Sequence, residues 1–156
     1  MKTIVIGVGN PILSNDGVGI HIAKKLQHEV SDPDVVIDTA YTGGFNLVEM
    51  MKGFDKAILI DTVHETKAKT GEVRRYELSD LPRCHSGNPH DASLPEAFHL
   101  MKTLGETCLP QQVIIVGVVS NSPPVFGEHI DPLISLAVPT AVNMVLSEIR
   151  GAQVKS

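Results

Sequence analysis

Absences narrow this chain before any motif does. Only two cysteines occur, Cys84 and Cys108, and they form no CxxC pair. Zinc ribbons and thioredoxin-type redox motifs are thereby excluded, and a reducing compartment is expected. Neither thiol has a recognisable nucleophile context, so both read as small core or surface residues. Basic residues are in deficit: 13 Lys and Arg against 18 Asp and Glu give a net charge of −5, with a pI near 5.7. Nucleic acid is a poor partner for such a surface, because phosphate binding needs a basic face. No apolar run approaches the ~18 residues of a membrane span. The N-terminal Met1-Lys2-Thr3-Ile4-Val5-Ile6-Gly7 carries too short an apolar stretch for a signal peptide. No repeat, low-complexity tract or linker interrupts the chain. These absences predict a soluble cytoplasmic protein that partners neither nucleic acid nor membrane.

What is present is ordinary globular composition, with 42% hydrophobic and 20% charged residues among 156. A chain this long buries about 70% of its unfolded surface, enough for a core without disulfides or a structural metal. One domain over residues 1–156 is expected. Three apolar runs, Thr3 to Val8, Lys56 to Ile60 and Val113 to Val119, are continuous rather than alternating, as buried parallel strands are. Val35 to Ile37 is a shorter fourth. Between them apolar residues recur at helical spacing. Val18, Ile22, Ala23 and Leu26 form one stripe; Phe45, Val48 and Met51 a second; Leu94, Phe98, Met101 and Leu104 a third; Ile134, Val138, Ala141, Val145 and Ile149 a fourth. Pro139 inside the last stripe predicts a kink or a split. Glu72 to Glu77, charged and following Thr70-Gly71, reads as an exposed edge strand. The alternation predicts an α/β fold: a single three-layer sandwich whose mainly parallel, twisted sheet is flanked by helices and ends in that charged edge strand. Two long polar loops, Ser79 to Ser93 and Asn121 to Pro132, are longer than connection alone requires.

Sites in open parallel sheets form at the carboxyl ends of strands. After the first strand, Gly7-Val8-Gly9 begins like the dinucleotide fingerprint GxGxxG, but its third glycine position is Ile12, the turn is too long, and Asp16 would set negative charge against a pyrophosphate. A nucleotide site is disfavoured. Asp16 reads either as a helix N-cap or as a ligand. After the third strand, Asp61 follows Ile58-Leu59-Ile60. Burial there costs a carboxylate several kcal/mol unless it is paired or holds a cation; capping of the next segment is the alternative. His64 is a second ligand or a solvated loop residue. In the long loop, Asp91 reads as an N-cap, with His90 held beside it. Two carboxylates and one imidazole suit a divalent metal of borderline softness with positions open for water or substrate, although spacing alone does not establish the trio.

These residues resemble the nickel–iron hydrogenase maturation endopeptidase family, over Ile4 to Arg150. The resemblance rests on Gly7-Val8-Gly9-Asn10 followed by Asp16-Gly17-Val18-Gly19, on Ile60-Asp61-Thr62, and on Asn88-Pro89-His90-Asp91-Ala92-Ser93-Leu94. Weaker matches are Asp38 with Gly43-Gly44 and Val116-Gly117-Val118. After the last strand, Val119-Ser120-Asn121-Ser122-Pro123-Pro124 departs from the acid, amide or proline that family members often carry there. The resemblance implies a twisted sheet flanked by helices. It also implies an enzyme that removes a short C-terminal tail from the large-subunit precursor of a nickel–iron hydrogenase after nickel insertion. Asp16, Asp61 and His90 would contact that nickel, brought by the substrate; zinc or another divalent metal can occupy such a site. A metallohydrolase with its own zinc and a non-catalytic nickel-site-binding assembly partner are the alternatives. No Ser-His-Asp or Cys-His pairing points to a covalent nucleophile.

Overall fold

A computed structural model describes residues 1–9, 17–41, 43–78, 94–121 and 130–154. Their elements run β1 (Thr3–Val8), α1 (Val18–Glu29), β2 (Val35–Ala40), α2 (Phe45–Met51), β3 (Lys56–Val63), β4 (Val73–Glu77), α3 (Leu94–Thr103), β5 (Gln112–Val119) and α4 (Pro132–Val154). The five strands form one sheet in the order β2-β1-β3-β5-β4. All pairings are parallel except that of β4 with β5. The mainly parallel sheet with a charged edge strand is therefore as expected.

Strand alternation sends successive side chains to opposite faces, and two cores result. Val5, Ile58, Ile60, Val116 and Val118 pack with α1 and α4 on one face. Ile4, Ile6, Val8, Ala57, Leu59, Val113 and Ile115 pack with α2 and α3 on the other. The three central strands bury both faces, which explains their unbroken apolar runs. Edge strand β2 instead alternates half-buried with exposed residues. Its open edge is partly covered: Gln27 Nε2 donates to the Ile37 carbonyl at 3.0 Å, and Asp38 Oδ1 accepts the Thr39 N–H at 2.8 Å.

The topology selects one location. From β1 the chain turns to β2 on one side; from β2 it crosses back to β3 on the other side of β1, then onward to β5. The carboxyl ends of β1 and β3 therefore diverge, and this reversal opens a crevice there. Helices α1, α2 and α4 each follow a strand in the chain, and α3 precedes β5, so their N-terminal turns gather at this rim. The opposite rim is tied by charge. Lys56 is 4% exposed; its Nζ donates to the Glu148 carbonyl at 2.7 Å and to Glu148 Oε2 at 3.1 Å, and Arg75 donates to Glu148 Oε1. This cluster fastens the end of α4 to β3 and β4.

Several boundaries differ from those expected. β3 continues to Val63, through Asp61 and Thr62, because those residues pair with Gly117, Val118 and Val119 of β5. Leu104, assigned to the third stripe, lies beyond the end of α3 and is 74% exposed; the chain turns there at Gly105, whose φ is 94°. Phe45 is 42% exposed in the first turn of α2. α4 is one unbroken helix through Pro139, so the proline does not split it. The expectation that nothing reaches membrane-span length also needs correcting: Pro132–Gly151 is long and apolar enough, with a mean hydropathy of 1.4. Here its apolar stripe, Ile134, Val138, Ala141 and Val145, is buried against β5 and α1. A core helix with one packed face accounts for the composition.

Candidate active site

Asp61 occupies the crevice. The pairing of β1 with β3 ends at Gly7 and Ile60, and Asp61 is the next residue, still paired to Gly117 on its other side. The residue is 9% exposed, and its Oδ1 accepts the Thr62 N–H at 2.8 Å. That bond satisfies one of the carboxylate's several acceptor positions, a local backbone bond like that of the capping alternative. By alternation its side chain shares a face with Ala57 and Leu59, the face of α2 and α3. A Cβ on its register partner Gly117 would stand 2.8 Å from Val63 and 2.9 Å from Tyr76, so the strand passes here only as glycine.

Two glycines bring α1 to the same point. A Cβ on Gly19 would stand 2.5 Å from the Val8 carbonyl oxygen and closer still to that of Ile60. A Cβ on Gly7 would lie 2.6 Å from Ala23 Cβ and clash with the Gly19 carbonyl. The first turn of α1 thus rests directly on the strand ends, against the residue preceding Asp61. This is what Gly7 and Gly19 do in the segment that began like a dinucleotide fingerprint. The N-cap position of α1 falls on Gly17, which has no side-chain cap bond; the cap reading of Asp16 does not hold at that position. Asp16 itself and His90 lie outside the described residues, as do Asp91 and Cys84. Gly44, the N-cap of α2, has φ 61° and ψ −127°, a region open in practice to glycine. It lets the chain turn from Tyr41 into α2 at the rim.

His64 is half-buried and its Nδ1 is shut off from solvent, so it is not the solvated loop residue of one sequence reading. Cys108 is free and exposed, between the end of α3 and the start of β5. Among the described residues no three His, Cys, Asp or Glu side chains are grouped to hold a metal ion.

The β3–β4 connection is braced in a way the sequence did not signal. Asn121, at the end of β5, accepts the Glu65 N–H on Oδ1 at 3.1 Å, donates from Nδ2 to the Ala68 carbonyl at 2.9 Å, and its own N–H reaches Thr70 Oγ1 at 3.2 Å. Tyr76 donates its hydroxyl to Glu65 Oε2. Only the amide in the departing Ser120-Asn121 segment hinted at this.

A mainly parallel α/β sheet with a buried acid in its switch crevice describes a class of enzyme-like folds, and comparison with known proteins narrows it. Residues 20–148 match the model of the hydrogenase maturation protease family. The chain belongs to that family, and its activity class is that of an endopeptidase, a hydrolase of hydrogenase maturation. It is similar to the hydrogenase 2 maturation protease of Escherichia coli, 26% identical, with 100% of this chain and 95% of the relative covered. It is also similar to the coenzyme F420 hydrogenase subunit delta of Methanothermobacter thermautotrophicus, 28% identical over 95% of this chain and 94% of the relative. The hydrogenase maturating endopeptidase HybD from Escherichia coli shares the fold with a TM-score of 0.82 at 23% identity, over 97% of this chain and 94% of that one.

Proposed function

We infer that this enzyme removes the C-terminal tail of a nickel–iron hydrogenase large-subunit precursor once nickel has been inserted, acting in the cytoplasm, and that Asp16, Asp61 and His90 ligate that nickel. The observation that carries the reading is Asp61: a carboxylate in the last turn of space before a buried strand ends, in the switch crevice of a chain of this family. A nearly buried carboxylate is costly unless it is hydrogen-bonded or meets a cation. The Thr62 N–H donates to Oδ1, and a carboxylate, with several acceptor positions, is the kind of group that takes a divalent metal.

The metal arrives with the substrate and is not stored in the enzyme. A neutral imidazole and two carboxylates complete the coordination of a nickel already held by the precursor's thiolates. A nickel-free precursor offers these side chains nothing to ligate, so ligation itself reports that insertion is complete. The peptide bond is then broken by water, either deprotonated by a carboxylate or attacking a carbonyl polarised by the metal. Mixing the protein with nickel-loaded and nickel-free precursor, and weighing both by intact mass, tests this. Tail loss from the loaded form alone is expected. Equal cleavage of the nickel-free form rejects nickel sensing, and no mass change in either rejects the tail-removal reading. One retained zinc per chain, with cleavage of small nickel-free peptides, would favour a resident-zinc hydrolase instead.

A further inference from the structure

Beside the crevice, on the α1/α4 side, a second surface stands at the same rim. Gly71 donates to the Val119 carbonyl at the end of β5, and a Cβ on Gly71 would lie 3.4 Å from Leu133 Cβ. The β3–β4 connection and the first turn of α4 therefore abut, level with the strand end that carries Val63, two residues beyond Asp61. Two large apolar side chains project there: Leu133 is 54% and Leu136 75% exposed. They are one helical turn apart on the same face. The adjoining connection exposes Lys67 and Lys69. Among the described residues neither lysine has an ion-pair partner. The neighbouring acids are engaged elsewhere: Glu65 with Tyr76, Glu72 with Arg74, and Asp131 with the Leu133 N–H.

This connection is held stiff by Asn121, through bonds to Glu65, Ala68 and Thr70. Bracing of this kind fixes the backbone that carries the exposed side chains, and preorganisation lowers the entropic cost of binding a partner. Exposed leucines beside two lysines with no ion-pair partner among the described residues put apolar surface and positive charge together on a chain of net charge −5.

We propose that Leu133, Leu136, Lys67 and Lys69 form a docking ledge for the hydrogenase large-subunit precursor, receiving an apolar segment flanked by acidic side chains on the body of the precursor, outside the tail that is cut. The proposal rests on the tail-removal reading. A folded substrate that delivers its tail to Asp61 lies against this rim, and acidic side chains on it would meet two lysines that have no ion-pair partner among the described residues. The ledge sets affinity and not the chemical step, since none of the four residues belongs to the proposed nickel contacts.

The test compares wild type with K67E/K69E and with L133S/L136S, using nickel-loaded precursor over a concentration series. All four positions are exposed, so both variants should melt within a few degrees of wild type. KM should rise about tenfold or more in each, with kcat within about twofold. The charge-reversed variant should also lose most of the salt dependence of KM. Unchanged KM in both variants, with wild type active, overturns the ledge alone; an inactive wild type overturns the tail-removal reading first. Two other occupants would also overturn it: a wild-type dimer by light scattering that L133S/L136S dissociates, or co-sedimentation of wild type with phosphatidylglycerol vesicles that either variant abolishes.

Discussion

The sharpest consequence of the fold concerns a single hydrogen atom. Replacing Gly19 by Ala adds a methyl that must sit 2.5 Å from the Val8 carbonyl oxygen and nearer still to that of Ile60. Both acceptors are backbone atoms of buried strands, Ile60 paired on both sides and Val8 with Ala40, so neither can swing aside as a side-chain tip would. Overpacking of this type costs about 1–3 kcal/mol, and the rigid neighbours place G19A toward the upper end. Alanine recovers up to about 1 kcal/mol over glycine within a helix. The steric cost wins, leaving a net loss of about 2 kcal/mol. For a chain of this length that lowers the melting temperature by roughly 4–8 °C. Relief comes from lifting the first turn of α1 off the strand ends, which moves its start away from Asp61. A displacement of about 1 Å in a catalytic constellation can cost 10²-fold in rate. G19A should therefore remain folded, melt several degrees lower and process nickel-loaded precursor about 100-fold more slowly. Urea titration and single-turnover mass analysis measure the two effects. A midpoint equal to wild type refutes the packing argument. A lowered midpoint with undiminished processing refutes the link between the α1 seat and the site. Because Gly7 meets Gly19 in the same contact, G7A and G19A should combine non-additively.

Asp61→Asn keeps the acceptor for the Thr62 N–H but loses the charge, so it should melt within a few degrees of wild type and remove no tail by intact mass; full processing by D61N rejects the ligand role, and His90→Ala should fail in the same assay. At the opposite rim, burial pushes the Glu148 carboxyl upward, but the Arg75 and Lys56 hydrogen bonds outweigh it and hold it below its ordinary 4.5. A depressed folded pKa contributes stability that is complete above 4.5 and lost as pH falls through the folded value. The acid limb of a stability–pH profile should therefore steepen below pH 4.5 in wild type and flatten there in E148Q. At neutral pH E148Q strands the buried Lys56 ammonium and should cost about 3 kcal/mol in urea titration, whereas K56M, which removes the cation, should cost clearly less. Pro139 is exposed inside α4, where it forfeits one backbone hydrogen bond; P139A should raise the unfolding free energy by about 1–3 kcal/mol in urea titration, and an unchanged or lower value would show that the ring packs productively.

The legible parts of this fold were those written in local pattern. Val18, Ile22, Ala23 and Leu26 declared their helix because all four face one core. Thr3 to Val8 declared its strand because both its faces are covered. The missed parts depend on partners distant in sequence. Asp61-Thr62 ended the apolar run that marked β3, yet pairing with β5, some fifty-six residues on, carries the strand to Val63. Phe45 kept helical spacing but falls at the rim and stays 42% exposed, while Leu47 and Val48 of the same turn are buried. Lys56 gave no sign of burial, since its counter-charge on Glu148 lies 92 residues away.

The glycines show the same limit most instructively. Gly7, Gly9 and Gly19 were visible as a motif, and the missing third glycine set it apart from a nucleotide fingerprint. What the motif is for could not be read from spacing, because the objects that Gly7 and Gly19 accommodate are the Ala23 side chain and the carbonyls of Val8 and Ile60 across a helix–sheet contact. A fingerprint glycine clears room for a ligand; these clear room for the enzyme's own backbone. The consequence is functional as well as structural. By seating α1 on the end of β3, they bring the start of that helix to the strand that bears Asp61, so on the proposed ligand set the site would take its precision from two missing side chains. Any residue larger than glycine at position 19 should therefore disturb processing in proportion to how far it lifts that helix, with serine and alanine milder than valine.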